Sequence, residues 1–169
     1  MMGRKVMVIG EIGVGKSSLV RRLVDDRFSN EYQPTLGADV YTYRVPETEH
    51  APAVTLILWD TDGNFGETIF THVYMRGAAA ALVVGDISRP ATLTAMRALG
   101  RGFASACPGR YLAYIVNKMD LVDAARWPDA VGGMLDGAEA SVTATSALTG
   151  DNVRCVFHDA AAAIVRRGL

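Results

Sequence analysis

Apolar and polar positions along the chain alternate between two rhythms. Short β-branched or continuous apolar runs occur at Lys5 to Gly10, Asp39 to Val45, Val54 to Trp59, Ala80 to Asp86, Tyr111 to Val116 and Ala140 to Ala144, which predicts strands. Between them, helical spacing covers Lys16 to Asp25, with Leu19, Val20, Leu23 and Val24 on one stripe, then Thr68 to Arg76 and Ala91 to Ala106. A weaker helical pattern covers Asp123 to Leu135, and Asp151 to Arg167 closes the chain as an Ala-rich amphipathic helix. A Pro-containing loop over Arg27 to Thr35, a polar turn over Glu47 to Pro52 and a glycine-containing loop over Asp60 to Glu67 separate these elements. Strands alternating with helices imply an α/β fold, a mainly parallel sheet with helices on both faces, and Asp39 to Val45 reads as an edge strand. In such a sheet, function collects in the loops beyond the carboxyl ends of the strands.

Composition narrows the class without changing this picture. The 169 residues fit one domain, 50% of them are hydrophobic and 21% charged, and the formal net charge is -1. That charge offers no global attraction to nucleic acid or to an acidic membrane. Cys107 and Cys155 form no C-x-x-C pair and read as reduced thiols of a cytoplasmic protein. Ala78 to Val84 is too short to span a bilayer. Met1-Met2-Gly3 lacks the layout of a signal peptide or a myristoylation site, and Arg166 to Leu169 offers no lipidatable cysteine, so no stable membrane anchor is expected. His50, His72 and His158 lack metal-ligand spacing.

The chemistry begins after the first strand. Gly10 to Ser17 reads GEIGVGKS and fits the phosphate-loop pattern G-x-x-x-x-G-K-[ST], with a strand before it and a helix after it. Glycines let successive backbone N–H groups and the helix N-terminus face a polyphosphate. Lys16 would reach its β and γ oxygens, and the Ser17 hydroxyl would ligate Mg²⁺. Gly13, Val14, Gly15, Lys16, Ser17 and Ser18 thus form the candidate phosphate-binding set. An ordinary glycine turn is the plainer alternative, and a dinucleotide fingerprint does not fit the order of the glycines.

After the third strand, Asp60-Thr61-Asp62-Gly63-Asn64 offers a carboxylate for hydrated Mg²⁺ and, at Gly63, an N–H for a γ-phosphate. After the fifth, Asn117-Lys118-Met119-Asp120 offers a carboxylate for the N1–H and 2-amino group of guanine. Adenine lacks both donors, so discrimination of about a hundred- to ten-thousand-fold follows. Asn117 bonds the base edge or ties this loop to the phosphate loop, and the Lys118 stem covers the ring. In isolation the same four residues read as a solvated surface turn. After the sixth strand, Thr145-Ser146-Ala147-Leu148 places a backbone N–H near the guanine O6.

With these four loops in place, the whole chain resembles a small GTPase of the Ras superfamily, and most closely the Rab branch. Tyr32 to Asp39 (YQPTLGAD) is similar to the first switch, Tyr74 to Ala78 to the Rab segment after the second switch, and Leu82 to Ser88 and Thr145 to Val153 are also Rab-like. The resemblance implies a three-layer P-loop NTPase fold: one G domain over residues 1–169, with a six-stranded, mainly parallel sheet and one antiparallel edge strand. It implies GTP or GDP with Mg²⁺ as the ligands, and Ser17, Thr35 and Asp60 around the metal. Phe28 would lie against the guanine, beside Ser146, Ala147 and Leu148, although a core aromatic is an equal reading of Phe28. Tyr32 would close over the phosphates, or else is an exposed loop tyrosine. Gly63, Asn64 and Lys16 would carry the hydrolytic chemistry, and regulators and effectors would engage residues 32–44 and 62–76 of a monomer.

Three departures from the family pattern bear on turnover. Asn64 stands where the family has the glutamine that orients the attacking water, one methylene shorter. Asp62 replaces a small apolar residue and would repel the γ-phosphate or recruit metal, unless it points away as a solvated loop residue. Ile12 occupies a position that is small in most relatives and would crowd an incoming arginine. The sequence therefore leads to a Mg²⁺-dependent guanine-nucleotide switch with slow, partner-accelerated hydrolysis. A guanine-nucleotide scaffold without turnover is the alternative, and an ATP-dependent small-molecule kinase a third that leaves Asn117 to Asp120 unexplained.

Overall fold

The computed structural model describes residues 3–29, 35, 37–49, 51–62, 74–123 and 140–169. Within them lie β1 (Arg4–Gly10), α1 (Lys16–Asp25), β2 (Ala38–Val45), β3 (Val54–Thr61), β4 (Ala80–Asp86), α2 (Pro90–Ala106), β5 (Tyr111–Asn117), β6 (Ser141–Ala144) and α3 (Val153–Arg166), with a single 3₁₀ turn at Met119–Leu121. The six strands form one sheet in the order β2-β3-β1-β4-β5-β6. β3, β1, β4, β5 and β6 run parallel, while β2 pairs antiparallel to β3, from Ala38 opposite Thr61 to Val45 opposite Val54. The α/β architecture expected from the alternating pattern is the one observed, and so is the antiparallel edge strand that the resemblance implies.

Side-chain alternation sorts the core into two layers. From β1, Val6 and Val8 face Leu19, Val20 and Leu23 of α1 and Phe157 and Ile164 of α3. Met7 and Ile9 face the opposite way, toward Leu93, Met96 and Phe103 of α2. β4 is covered on both sides and every residue of Ala80–Asp86 is buried, which explains its continuous apolar run. Among the described residues no helix is long and apolar enough to cross a membrane.

Two boundaries differ from expectation by two residues, the others by at most one. β3 runs on through Asp60 and Thr61, which the sequence pattern assigns to the following loop, because Thr61 Oγ1 donates to the Val8 carbonyl (2.9 Å) and Ala38 and Asp39 continue the ladder opposite them. α3 begins at Val153 rather than Asp151, because Asn152 adopts a left-handed conformation (φ 57°) and ends the preceding turn there. The expected helix at Thr68 lies outside the described residues up to His72 and Val73, as does nearly all of the expected helical stretch from Asp123 to Leu135.

Candidate functional site

The carboxyl ends of β1, β3, β4, β5 and β6 deliver their loops to one side of the sheet. Between β1 and α1, Gly13 (φ 75°) and Gly15 (φ 98°) take conformations that favour glycine. At Gly15 a Cβ would also collide with the Asn117 amide. Gly15 is the N-cap of α1, with no side-chain cap and no acidic residue in the first turn, so the helix N-terminus is left open to an anion. Lys16 is 6% exposed, and its Nζ donates to the carbonyls of Gly10 (2.9 Å) and Glu11 (2.8 Å). Burial lowers its pKa to about 8, against the opposing pull of Asp60 and Asp62. A polyphosphate would offer this ammonium charged oxygens in place of the two carbonyls.

Beside it lies a set of hard oxygen donors. The hydroxyls of Ser17 and Thr35 are 3.0 Å apart. Asp60 is fully buried, and among the described residues neither carboxylate oxygen has a hydrogen-bond partner. Burial raises its pKa to about 6, while the nearby Ser17 hydroxyl and Lys16 charge favour the ionised form. An orphaned buried carboxylate next to two hydroxyls is the chemistry that suits Mg²⁺. Among the described residues no group of three His, Cys, Asp or Glu side chains is gathered to hold a metal by itself.

At the far end, Asn117 is 1% exposed and all its polar atoms face protein. Its Nδ2 donates to the Val14 carbonyl (3.0 Å), and its Oδ1 accepts from Thr145 Oγ1 (3.2 Å) and the Ala147 N–H (3.1 Å). Of the two roles open to it, Asn117 takes the tie between loops. The Ala147 N–H expected at the base is engaged in that tie. Asp120 Oδ1 accepts from Ser146 Oγ (2.5 Å), which orients the carboxylate. A cavity of about 380 Å³ joins the two ends, within the range of small-molecule sites. Gly13, Gly15, Lys16, Ser17, Ser18, Phe28, Thr35, Asn117, Lys118, Asp120, Ala147 and Leu148 all line it. Val14 and Ser146 stand behind the wall and support it, while Tyr32, Gly63 and Asn64 lie outside the described residues.

Three supporting residues escape the motif reading. Asp86, at the end of β4, is 1% exposed; its Oδ1 accepts from the Ser88 N–H (2.9 Å) and Oγ (2.6 Å), and its Oδ2 meets Lys118 Nζ (2.7 Å) and Arg89 Nε (3.1 Å). Burial pushes the Asp86 carboxyl up, but Lys118, Ser88 and Arg89 together hold it below the usual carboxylate range. The two cations continue to the phosphate loop, Lys118 Nζ to the Gly13 carbonyl (2.9 Å) and Arg89 Nη2 to the Ile12 carbonyl (2.8 Å). Arg22 of α1 holds the carbonyls of Ala147 (2.9 Å) and Leu148 (2.5 Å). A charged residue closing the apolar run Ala80 to Gly85 is the signal that points to Asp86. Arg22 has none, because a polar position on an amphipathic helix reads as solvent-facing.

Away from the cavity, Trp59 is half-buried on the sheet, edge-on to Tyr74 (ring centroids 6.0 Å apart) with Lys5 Nζ 3.9 Å from its ring centre. Tyr41 and Tyr43 pack in part against the core, and Val40 beside them is exposed.

Residues 5–166 match the Ras family model. The chain is 33% identical over 159 residues to the GTP-binding protein ypt5 of Schizosaccharomyces pombe, a match covering 92% of this chain and 75% of ypt5. It is 33% identical to the Ras-related protein RABF2a of Arabidopsis thaliana, with 96% and 81% of the two chains covered. Against the Ras-related protein Rab5A of Oryza sativa subsp. japonica the identity is 34%, with 93% and 77% covered.

Proposed function

The chain belongs to the Ras family as a Rab-like small GTPase, and on that premise we propose that it is a Mg²⁺-dependent guanine-nucleotide switch that hydrolyses GTP slowly until a partner accelerates it. One observation supports the reading: Asn117 bonds Val14, Thr145 and Ala147 at once, which ties the phosphate loop to the loop of Ser146, whose hydroxyl donates to Asp120 in the same cavity.

In this reading the backbone N–H groups from Gly13 to Ser18 cradle the phosphates, and Lys16 exchanges its loop carbonyls for β and γ oxygens. Ser17, Thr35 and Asp60 hold Mg²⁺, which neutralises phosphate charge. Asp120 accepts the two guanine donors, and Phe28 and the Lys118 stem cover the ring. Tyr32 closes over the phosphates and Gly63 donates to the γ-phosphate. Thr35, already beside Ser17, is drawn in when the γ-phosphate is present. Its release on hydrolysis frees the first switch, so that partners read residues 32–44 and 62–76. The protein acts as a monomeric cytoplasmic G domain.

Asn64 orients the attacking water from one methylene too far away, and at contact geometry that shortfall costs about ten- to a hundredfold in rate. The same substitution favours the second reading, a scaffold that holds guanine nucleotide without turnover. Single-turnover assays with GTP labelled at the γ-phosphate separate the two. Slow release by the native chain and release about tenfold or more faster by Asn64→Gln are expected. A γ-phosphate left intact by both after long incubation means the scaffold.

A further inference from the structure

Asp62 lines the cavity and stands near enough to Lys16 for its charge to act there. It directly follows β3, and its N–H donates to the Gly37 carbonyl (2.9 Å), which fixes its backbone beside the start of β2. It is half-buried and lines this cavity together with Gly13, Lys16, Ser17 and Thr35. Among the described residues it forms no ion pair. The Lys16 ammonium already stands in the field of both Asp60 and Asp62, so one lysine faces two carboxylates before any ligand arrives. A diphosphate leaves this end of the cradle to water. A triphosphate places its terminal, most highly charged group there.

We propose that Asp62 is a specificity-determining residue that biases the site toward the guanine diphosphate, because its carboxylate repels the terminal phosphate of the triphosphate and leaves the diphosphate untouched. The inference rests on the guanine-nucleotide reading and adds to it the state in which the chain rests. Two like charges about 5 Å apart at an effective dielectric of about 20 cost about two powers of ten in affinity, and solvent access to Asp62 reduces this toward one. Were Asp62 a ligand of the metal, it would act in the opposite sense and raise triphosphate affinity.

The test is equilibrium binding of GDP and of a non-hydrolysable GTP analogue, at saturating Mg²⁺, to the native chain, Asp62→Ala and Asp62→Asn. The native chain is expected to favour GDP by about tenfold or more. Both variants should bind the analogue about ten- to a hundredfold more tightly, with GDP affinity changed by no more than about twofold. An unchanged ratio in Asp62→Asn, which keeps the shape and removes the charge, overturns the proposal. So does weaker analogue binding by the variants, the signature of a lost metal ligand. GDP binding by the native chain is the internal control: its absence sinks the guanine-nucleotide reading, whereas GDP binding with an unmoved ratio sinks only the role of Asp62.

Discussion

Asp120→Asn is expected to lower GDP affinity by about a hundred- to ten-thousand-fold and to create affinity for the xanthine nucleotide. Guanine presents two donors, N1–H and the 2-amino group, and a carboxylate accepts both through charge-assisted bonds of about 1.5 to 3 kcal/mol each. Asparagine has one acceptor and one NH₂, so its donor would meet the 2-amino group and leave both unsatisfied. Xanthine replaces that amino group by a carbonyl, which the NH₂ can serve. The Ser146 hydroxyl, 2.5 Å from Asp120 Oδ1, can donate to an amide oxygen as well, so the side chain keeps its orientation. Competition against a fluorescent GDP derivative reads both effects. Unchanged GDP affinity would mean that Asp120 does not face the base.

Asp60→Asn is expected to act in opposite directions on binding and on stability. Among the described residues the buried carboxylate has no hydrogen-bond partner, and its pKa is raised from 3.8 to about 6, chiefly by burial. Well below pH 4 the group is protonated in folded and unfolded chains alike and has no effect. Between about pH 4 and pH 6 the unfolded chain releases the proton and the folded chain keeps it, so the ligand-free protein loses stability as pH rises. By neutral pH the loss is about 3 kcal/mol. Asparagine removes the charge but leaves a buried amide, so a net gain of about 1 kcal/mol at pH 7 is expected. Mg²⁺-dependent nucleotide affinity should fall by about a hundredfold or more. Urea unfolding in chelator from pH 4 to pH 8 checks this: the native chain should lose stability relative to Asp60→Asn across the window. A variant less stable than the native chain at pH 7 would show that the carboxylate has a partner.

The fold and most of the cavity were legible because they rest on local patterns. The strands show as short continuous apolar runs, as at Val6 to Ile9, which the sheet buries on both faces, and the phosphate loop is contiguous from Gly10 to Ser17. Long-range contacts were not legible. Nothing in the sequence links Arg22 to Ala147 and Leu148, more than a hundred residues away, or Arg89 to the Ile12 carbonyl. The extension of β3 through Asp60 depends on Thr61 reaching Val8 across the sheet. Asn117 had two roles open to it until packing surrounded its amide with Val14, Thr145 and Ala147.

The most direct test of the guanine-nucleotide switch is equilibrium binding of GDP, GTP, ADP and ATP to protein stripped of nucleotide, with and without Mg²⁺. Both guanine nucleotides should bind at micromolar levels or tighter with Mg²⁺ and weaken when it is chelated, and the adenine nucleotides should bind about a hundredfold or more weaker. ATP binding as tight as GTP, or guanine binding indifferent to Mg²⁺, would contradict the roles given to Asp120 and to the Ser17, Thr35 and Asp60 corner.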